Sequence, residues 1–334
     1  MPIRVSRRRA LTIFAAAAGL PLLPGLLRTA RADEAQLFEW KGTAAGAAAS
    51  ISLYHTDKAQ AQQLLAACTA EIARLEAIFS LYQTDSAVCR LNRDGHLDNP
   101  PLDLVQVLGL ARSVSLASQG AFDPTVQPLW DLYAGHFAKP DADPNGPAES
   151  LIAAARDRVD FRKVAFDTTG IAFQGRDMGL TFNGIAQGYI TDKVSDLLRS
   201  RGMTHVLVNL DSIRALGPHA DGTPWTVGIA DPKSPEGWLR TIDIVDKAVD
   251  TSGGYGTVFD ALGRFNHLFI PQTGHSAHFH AGVTVIAETA AKADALSTTL
   301  SVVDPSRAEA IIKAVGGATA YFIDQNNVIA TITA

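Results

Sequence analysis

The sequence has little cysteine and no basic run beyond its first ten residues. Only two of its 334 residues are Cys, Cys68 and Cys89, so no disulfide framework carries the fold and stability must come from an apolar core. A Cys68–Cys89 bond stays open in an oxidising compartment, although Cys68 falls on an apolar helical stripe and reads as core. The formal net charge is −5 and Lys and Arg are dispersed, which excludes the electrostatic footprint of a nucleic-acid binder. No internal repeat occurs, and no apolar run after residue 27 is long enough to cross a bilayer. What is present, 47% apolar and 19% charged residues, matches an ordinary globular enzyme. A small phosphorylated ligand remains open, because helix amino termini, backbone N–H groups and a divalent ion hold phosphates without a basic surface.

The amino terminus reads as an address. Ser6-Arg7-Arg8-Arg9-Ala10-Leu11 resembles the twin-arginine export signal, residues 10–27 are apolar, and Ala30-Arg31-Ala32 fits small-x-small cleavage. An uncleaved anchor is the alternative, because that run reaches the roughly 18 residues a span needs. Pro21, Pro24 and Arg28 favour cleavage. The expectation is a signal over 1–32, a single mature domain over 33–334, and a periplasmic protein.

Apolar periodicity predicts helices over 59–79, 103–117, 151–159, 185–201, 289–303 and 306–315. Residues 138–149 read as a surface excursion. Short β-like runs cover 164–173, further strands cover 206–210, 225–230, 241–245 and 283–287, and a hairpin over 320–332 turns at Gln325-Asn326-Asn327. Helix 185–201 followed by strand 206–210 suggests an α/β unit. The fold class expected overall is α+β.

Four segments place glycine, hydroxyl and carboxylate groups together. In Gly120-Ala121-Phe122-Asp123-Pro124-Thr125, Asp123 precedes a proline and either faces a ligand or caps its own turn. Asn183-Gly184-Ile185-Ala186-Gln187-Gly188-Tyr189, with Asp192 beyond, opens a helix with glycines that let backbone approach a ligand or simply pack. Asp250-Thr251-Ser252-Gly253-Gly254-Tyr255-Gly256 reads as a hydroxyl- and glycine-rich loop suited to phosphate. Downstream, His267 could bind a ligand, take a proton or bond its neighbours. In the fourth segment Asp294 and Thr298 lie four apart on one helix, so their oxygens share a face. Hard oxygen donors alone select Mg²⁺ or Ca²⁺ over zinc.

In this order the segments resemble the ApbE family of FAD:protein FMN transferases, from about Phe79 to Asp324. Phe79-Ser80-Leu81-Tyr82 with Ser86 and Leu91-Asn92 is similar to the family's early motif, and the Ala121, Gly184, Thr251 and Asp294 segments match the later ones. The resemblance implies an ApbE-like, T-fold-like architecture and Mg²⁺ held by the Gly184 carbonyl, Asp294 and Thr298. It places FAD, the donor, beside Tyr82, Ala121, Phe122, Asp123, Thr181, Gln187, Thr251, Ser252, Gly253, His267 and Leu268. FMN would pass to a threonine in a Ser/Thr-Gly-Ala-Thr type motif of a partner protein. A base must then take the threonine proton, for which His267 is the candidate, with binding of the diphosphate as its alternative role, and Asp294 is the other catalytic residue. The 182–189 segment with the arginine signal is similar to the NosX-type branch, which implies NosR as partner in nitrous oxide reduction.

Several positions depart from the family pattern. Thr181 stands where an Asp is frequent, Gln187 where Lys or Glu is, Asp211-Ser212 where Gly-Gly-Asp or Gly-Glu is, and Ile270 where an Asp precedes the proline. These departures keep two rivals open: a periplasmic FAD-binding or chaperone-like protein without transfer, and a Mg²⁺-dependent FAD pyrophosphatase.

Overall fold

The computed structural model describes residues 35–334, and residues 1–32, expected to be an export signal, lie outside the described residues. A hairpin of β1 (Gln36–Ala44) and β2 (Ala47–His55) leads into α1 (Lys58–Phe79). Then follow α2 (Ala87–Asp94), β3 (His96–Asp98), α3 (Leu102–Ala117), α4 (Gln127–Phe137), α5 (Glu149–Arg156), β4 (Val164–Phe166) and β5 (Gly170–Phe173). The middle of the chain forms α6 (Ala186–Ser200), β6 (Val206–Leu210), β7 (Ser212–Leu216), β8 (Trp225–Asp231), β9 (Ser234–Ile244) and β10 (Ala248–Ser252). It ends with β11 (Gly282–Ala287), α7 (Ala290–Ser301), α8 (Ala308–Ala314), β12 (Thr319–Ile323) and β13 (Ile329–Thr333).

One eight-stranded sheet, in the order β1-β2-β6-β7-β10-β11-β12-β13, organises the molecule. Its pairs are antiparallel. The α/β unit expected around 185–210 is therefore corrected: β6 pairs antiparallel with β2 and β7, so no parallel crossover is built. The α+β class stands. A three-stranded sheet β3-β5-β4 and the β8–β9 ribbon complete the strands.

The predicted stripe of Leu64, Leu65, Cys68, Ile72, Leu75 and Phe79 is buried on α1, in the largest core cluster. Asp57 caps that helix, accepting from the Ala59 and Gln60 N–H groups. Cys68 and Cys89 are free thiols. Burial pushes the Cys68 thiol up to about 12, so it behaves as core, while the Cys89 Sγ donates to the Ser80 carbonyl.

Two helices matter most for function. Gly202, in the left-handed region at φ +81, ends α6 with Met203 N–H donating to the Leu198 carbonyl. The neighbouring helix α7 is rich in alanine and packs on α6, β10 and β11 with nearly every residue buried. Asp192 of α6 accepts from the Ala290 and Ala291 N–H groups at 2.8 and 2.9 Å and so caps α7. Burial raises the pKa of Asp192, an effect that the pairing with Arg214 opposes.

Candidate functional site

The site begins where α6 and α7 meet. Asp294, on α7, is 3% exposed and accepts the Gly188 N–H at 2.9 Å. Each helix thus receives an Asp from the other at its amino terminus, where unpaired N–H groups favour a carboxylate. This reciprocal capping requires glycine: a Cβ on Gly188 would lie 2.3 Å from the Ala290 carbonyl oxygen. Gly188→Ala must push two backbones apart and loosen both caps, an overpacking cost of about 3 kcal/mol. Urea denaturation should show that loss as a lower midpoint at unchanged slope.

Gly184 approaches the same place from the loop before α6. A Cβ there would lie 2.9 Å from the Thr298 Oγ1, so the Gly184 backbone rests directly on Thr298. Gly184, Asp294 and Thr298 are therefore brought together, offering carbonyl, carboxylate and hydroxyl oxygens. Among the described residues no group of three or more His, Cys, Asp or Glu is arranged for a metal, and this set contains one carboxylate. Its members are the hard oxygens that suit Mg²⁺.

A hydrogen-bonded relay extends from these residues. Thr298 Oγ1 lies 3.2 Å from Ser252 Oγ, which lies 2.8 Å from Ser297 Oγ. Ser297 and Ser212 both donate to Asp250, each at 2.6 Å. Burial pushes the Asp250 carboxyl up to about 6, against the pull of those two hydroxyls. Burial also raises the Asp294 pKa, well above the carboxylate range, with the Asp250 charge adding to it. Buried carboxylates in this state gain from a bound cation.

The segment over 250–256 differs from its expected form. Residues Ala248–Ser252 are strand β10, and the loop starts only at Gly253. Thr251 Oγ1 shares a hydrogen bond with Thr284 across the sheet, so its hydroxyl serves strand pairing, while Ser252 reaches the site. Gly253 lies against Tyr255, whose ring a Cβ would meet at 2.3 Å.

His267 keeps part of its surface exposed but sits among dense packing, and desolvation lowers its pKa below the ordinary value. Its Nδ1 is 3.2 Å from the Thr257 carbonyl, which only accepts. Nδ1 therefore carries the proton and Nε2 holds a lone pair, above Gly256. Leu268 beside it is buried, its N–H donating to the Asn266 side chain.

Of the remaining sequence-derived residues, Asp123 and its neighbours border a separate groove, whereas Thr181 and Gln187 lie beside the start of α6. Asp123 caps its own turn, accepting from the Thr125 N–H and hydroxyl and from the Phe161 N–H. The turn-cap reading is realised in these bonds, Asp123 also borders a groove, and Ala121 and Phe122 are buried beside it. A groove bordered by Gly120, Asp123, Phe161, Arg162 and Gln272 runs along this segment. A second lies by Asn92, Gln127, Arg158 and Gly179, and neither is lined by Asp294. The Thr181 N–H donates to the Pro124 carbonyl, joining the 121–125 and 181–184 segments. Tyr82 is 61% exposed at the rim, held by its N–H to Ser80 Oγ. Gln187 Nε2 donates to Asp211 at 3.1 Å.

The sequence profile of the ApbE family matches residues 45–322. The chain belongs to the ApbE family. A FAD:protein FMN transferase from Klebsiella pneumoniae (strain 342) is 30% identical over 277 residues, 80% of this chain and 78% of its own. One from Salmonella typhimurium is 28% identical over 299 residues, 86% of this chain and 84% of its own. Among solved structures, the apo flavinyl transferase ApbE of Pseudomonas stutzeri superposes with a TM-score of 0.74 at 26% identity, covering 90% of this chain and 96% of that one. The Thermotoga maritima ApbE protein shares the fold, with a TM-score of 0.76 at 24% identity over 88% and 96%. The protein is thus an enzyme of the FAD:protein FMN transferase kind. Asp250, Ser297, Ser212 and Asp211 were given no site role from the sequence, although the structure joins the first three by hydrogen bonds and ties Asp211 to Gln187. Their sequence signals were Asp250 opening the 250–256 segment, Asp211-Ser212 departing from the family pattern, and Ser297 lying between Asp294 and Thr298.

Proposed function

We propose that this ApbE-family enzyme uses Mg²⁺ to move FMN from FAD onto a threonine of a partner protein. The observation that carries the proposal is the meeting of the Gly184 backbone, Asp294 and Thr298 at the α6–α7 junction. These oxygens would hold the ion, and when bound it supplies charge neutralisation for the diphosphate. In the transfer, the threonine oxygen bonds to the FMN phosphorus, the pyrophosphate P–O bond breaks, and AMP leaves. His267 Nε2 accepts the threonine proton, being neutral and fixed in its tautomer by Thr257. Asp250 and Ser297 hold Ser252 and Thr298 in place from behind.

Export to the periplasm is part of the same proposal, on the strength of the twin-arginine signal. The similarity of residues 182–189 to the NosX-type branch supports NosR, with a Ser/Thr-Gly-Ala-Thr type motif, as acceptor in nitrous oxide reduction. The test incubates purified protein with Mg²⁺, FAD and a NosR-derived acceptor domain and reads intact mass. Acceptor heavier by one FMN, with AMP released, supports the proposal. Free FMN and AMP with unlabelled acceptor point instead to a pyrophosphatase, and bound FAD without products to a flavin-binding protein.

A further inference from the structure

Asp211 is the single residue between β6 and β7, and its backbone lies at φ +82. Among the described residues, seven non-glycine residues have positive φ. Five of them, Ala45, Asn99, Gln119, Asp177 and Asp246, are exposed turn residues. Asp211 instead sits inside the site, where its charge reaches both Asp250 and Asp294. A left-handed conformation costs an ordinary residue on the order of 1 kcal/mol, and glycine would remove that cost. A second cost comes from placing a carboxylate near two others. Among the described residues, no helix cap or ion pair of Asp211 offsets either cost. What Asp211 does hold is Gln187, whose Nε2 donates to its Oδ2 at 3.1 Å. A carboxylate only accepts, so this bond fixes the amide: nitrogen toward Asp211, Oε1 turned the other way.

We propose that Asp211 is a positioning residue for the flavin donor, holding Gln187 so that its Oε1 accepts a hydrogen bond from a hydroxyl or N–H group of the dinucleotide. This rests on the reading of FAD as donor. The Oε1 acceptor suits the ribityl or ribose hydroxyls and the imide or amino N–H groups of the dinucleotide, all of them hydrogen-bond donors. The left-handed backbone at the β6–β7 junction goes with this contact between Asp211 and Gln187 on α6.

The test uses the full mature chain with Asp211→Gly and Asp211→Asn, measuring FAD affinity by flavin fluorescence, KM and kcat for transfer, and thermal midpoint. Asp211→Gly relieves the strain and frees Gln187, so the midpoint should stay level or rise by about 2 °C. FAD affinity should fall about tenfold, as for one lost hydrogen bond, with KM rising in step and kcat at saturating FAD within about twofold of wild type. Asn tolerates positive φ and its Oδ1 still accepts from Gln187, so Asp211→Asn should restore most of the affinity. Wild-type FAD affinity in Asp211→Gly overturns the proposal, as does an Asn variant as weak as the Gly variant. FAD titration reads this independently of transfer, so unlabelled acceptor with intact FAD binding would sink the transferase reading alone.

Discussion

Replacing Asp294 with alanine lowers the transfer rate by about 10³-fold while leaving much of the FAD affinity in place. The size follows from removing the only carboxylate among three converging oxygen donors, since one well-placed electrostatic group in a closed site typically carries a factor of that order. Stability should change little. The variant loses the Gly188 cap, about 1 kcal/mol, but also removes a buried charge that burial and Asp250 hold out of its ordinary range. Asp294→Asn separates the two roles, because its amide oxygen can still accept from Gly188 while the charge is gone. Its thermal midpoint should match wild type and its rate should not. Single-turnover labelling followed by mass spectrometry measures the rate, and a fully active Asn variant contradicts the role assigned to Asp294.

His267→Ala should cost about 10³-fold in kcat, within the usual range for loss of a positioned general base. The pH profile carries more information than the rate. Desolvation holds the His267 pKa below 6.5, so Nε2 stays unprotonated at neutral pH and the acid limb of kcat/KM should fall below pH 6.5. The linked stability has the same sense. Because the folded pKa lies below the unfolded one, the contribution of His267 is fully present above about pH 6.5 and is lost as pH falls through the lower, folded value. His267→Ala should abolish the acid limb and lessen that loss. An acid limb that persists unchanged in the variant would assign it to another group.

Much of the architecture follows from local pattern. The α1 stripe, the 185–201 helix with its Gly202 stop, the 283–287 strand and the terminal hairpin follow from periodicity and turn chemistry, because burial of one face selects those residues. Elements that break those patterns were not legible. Strand β7 carries Ser212 and Arg214, and β10 carries Asp250 with two hydroxyls, so both read as polar. They are buried strands because Asp192, Ser297 and Thr284 meet those polar groups from elsewhere in the fold. Helices α2 and α4 are short, and the β1–β2 hairpin turns on Ala45-Gly46 without a strong turn pair.

The candidate site divides along the same line. Sequence alone determined that Asp294 and Thr298 share a helix face, that glycines bracket the start of α6, and that the ordered motifs mark the ApbE family, because spacing along a helix and order along a chain are one-dimensional properties. Tertiary structure decided which oxygens converge and which are already committed. It turned Asp123 into its own turn and Thr251 onto Thr284, tied His267 to Thr257 through Nδ1, and set Asp250 and Asp211 behind Asp294. The physical reason is that a polar group's role depends on the partner that satisfies it, and those partners come from residues far away in the chain.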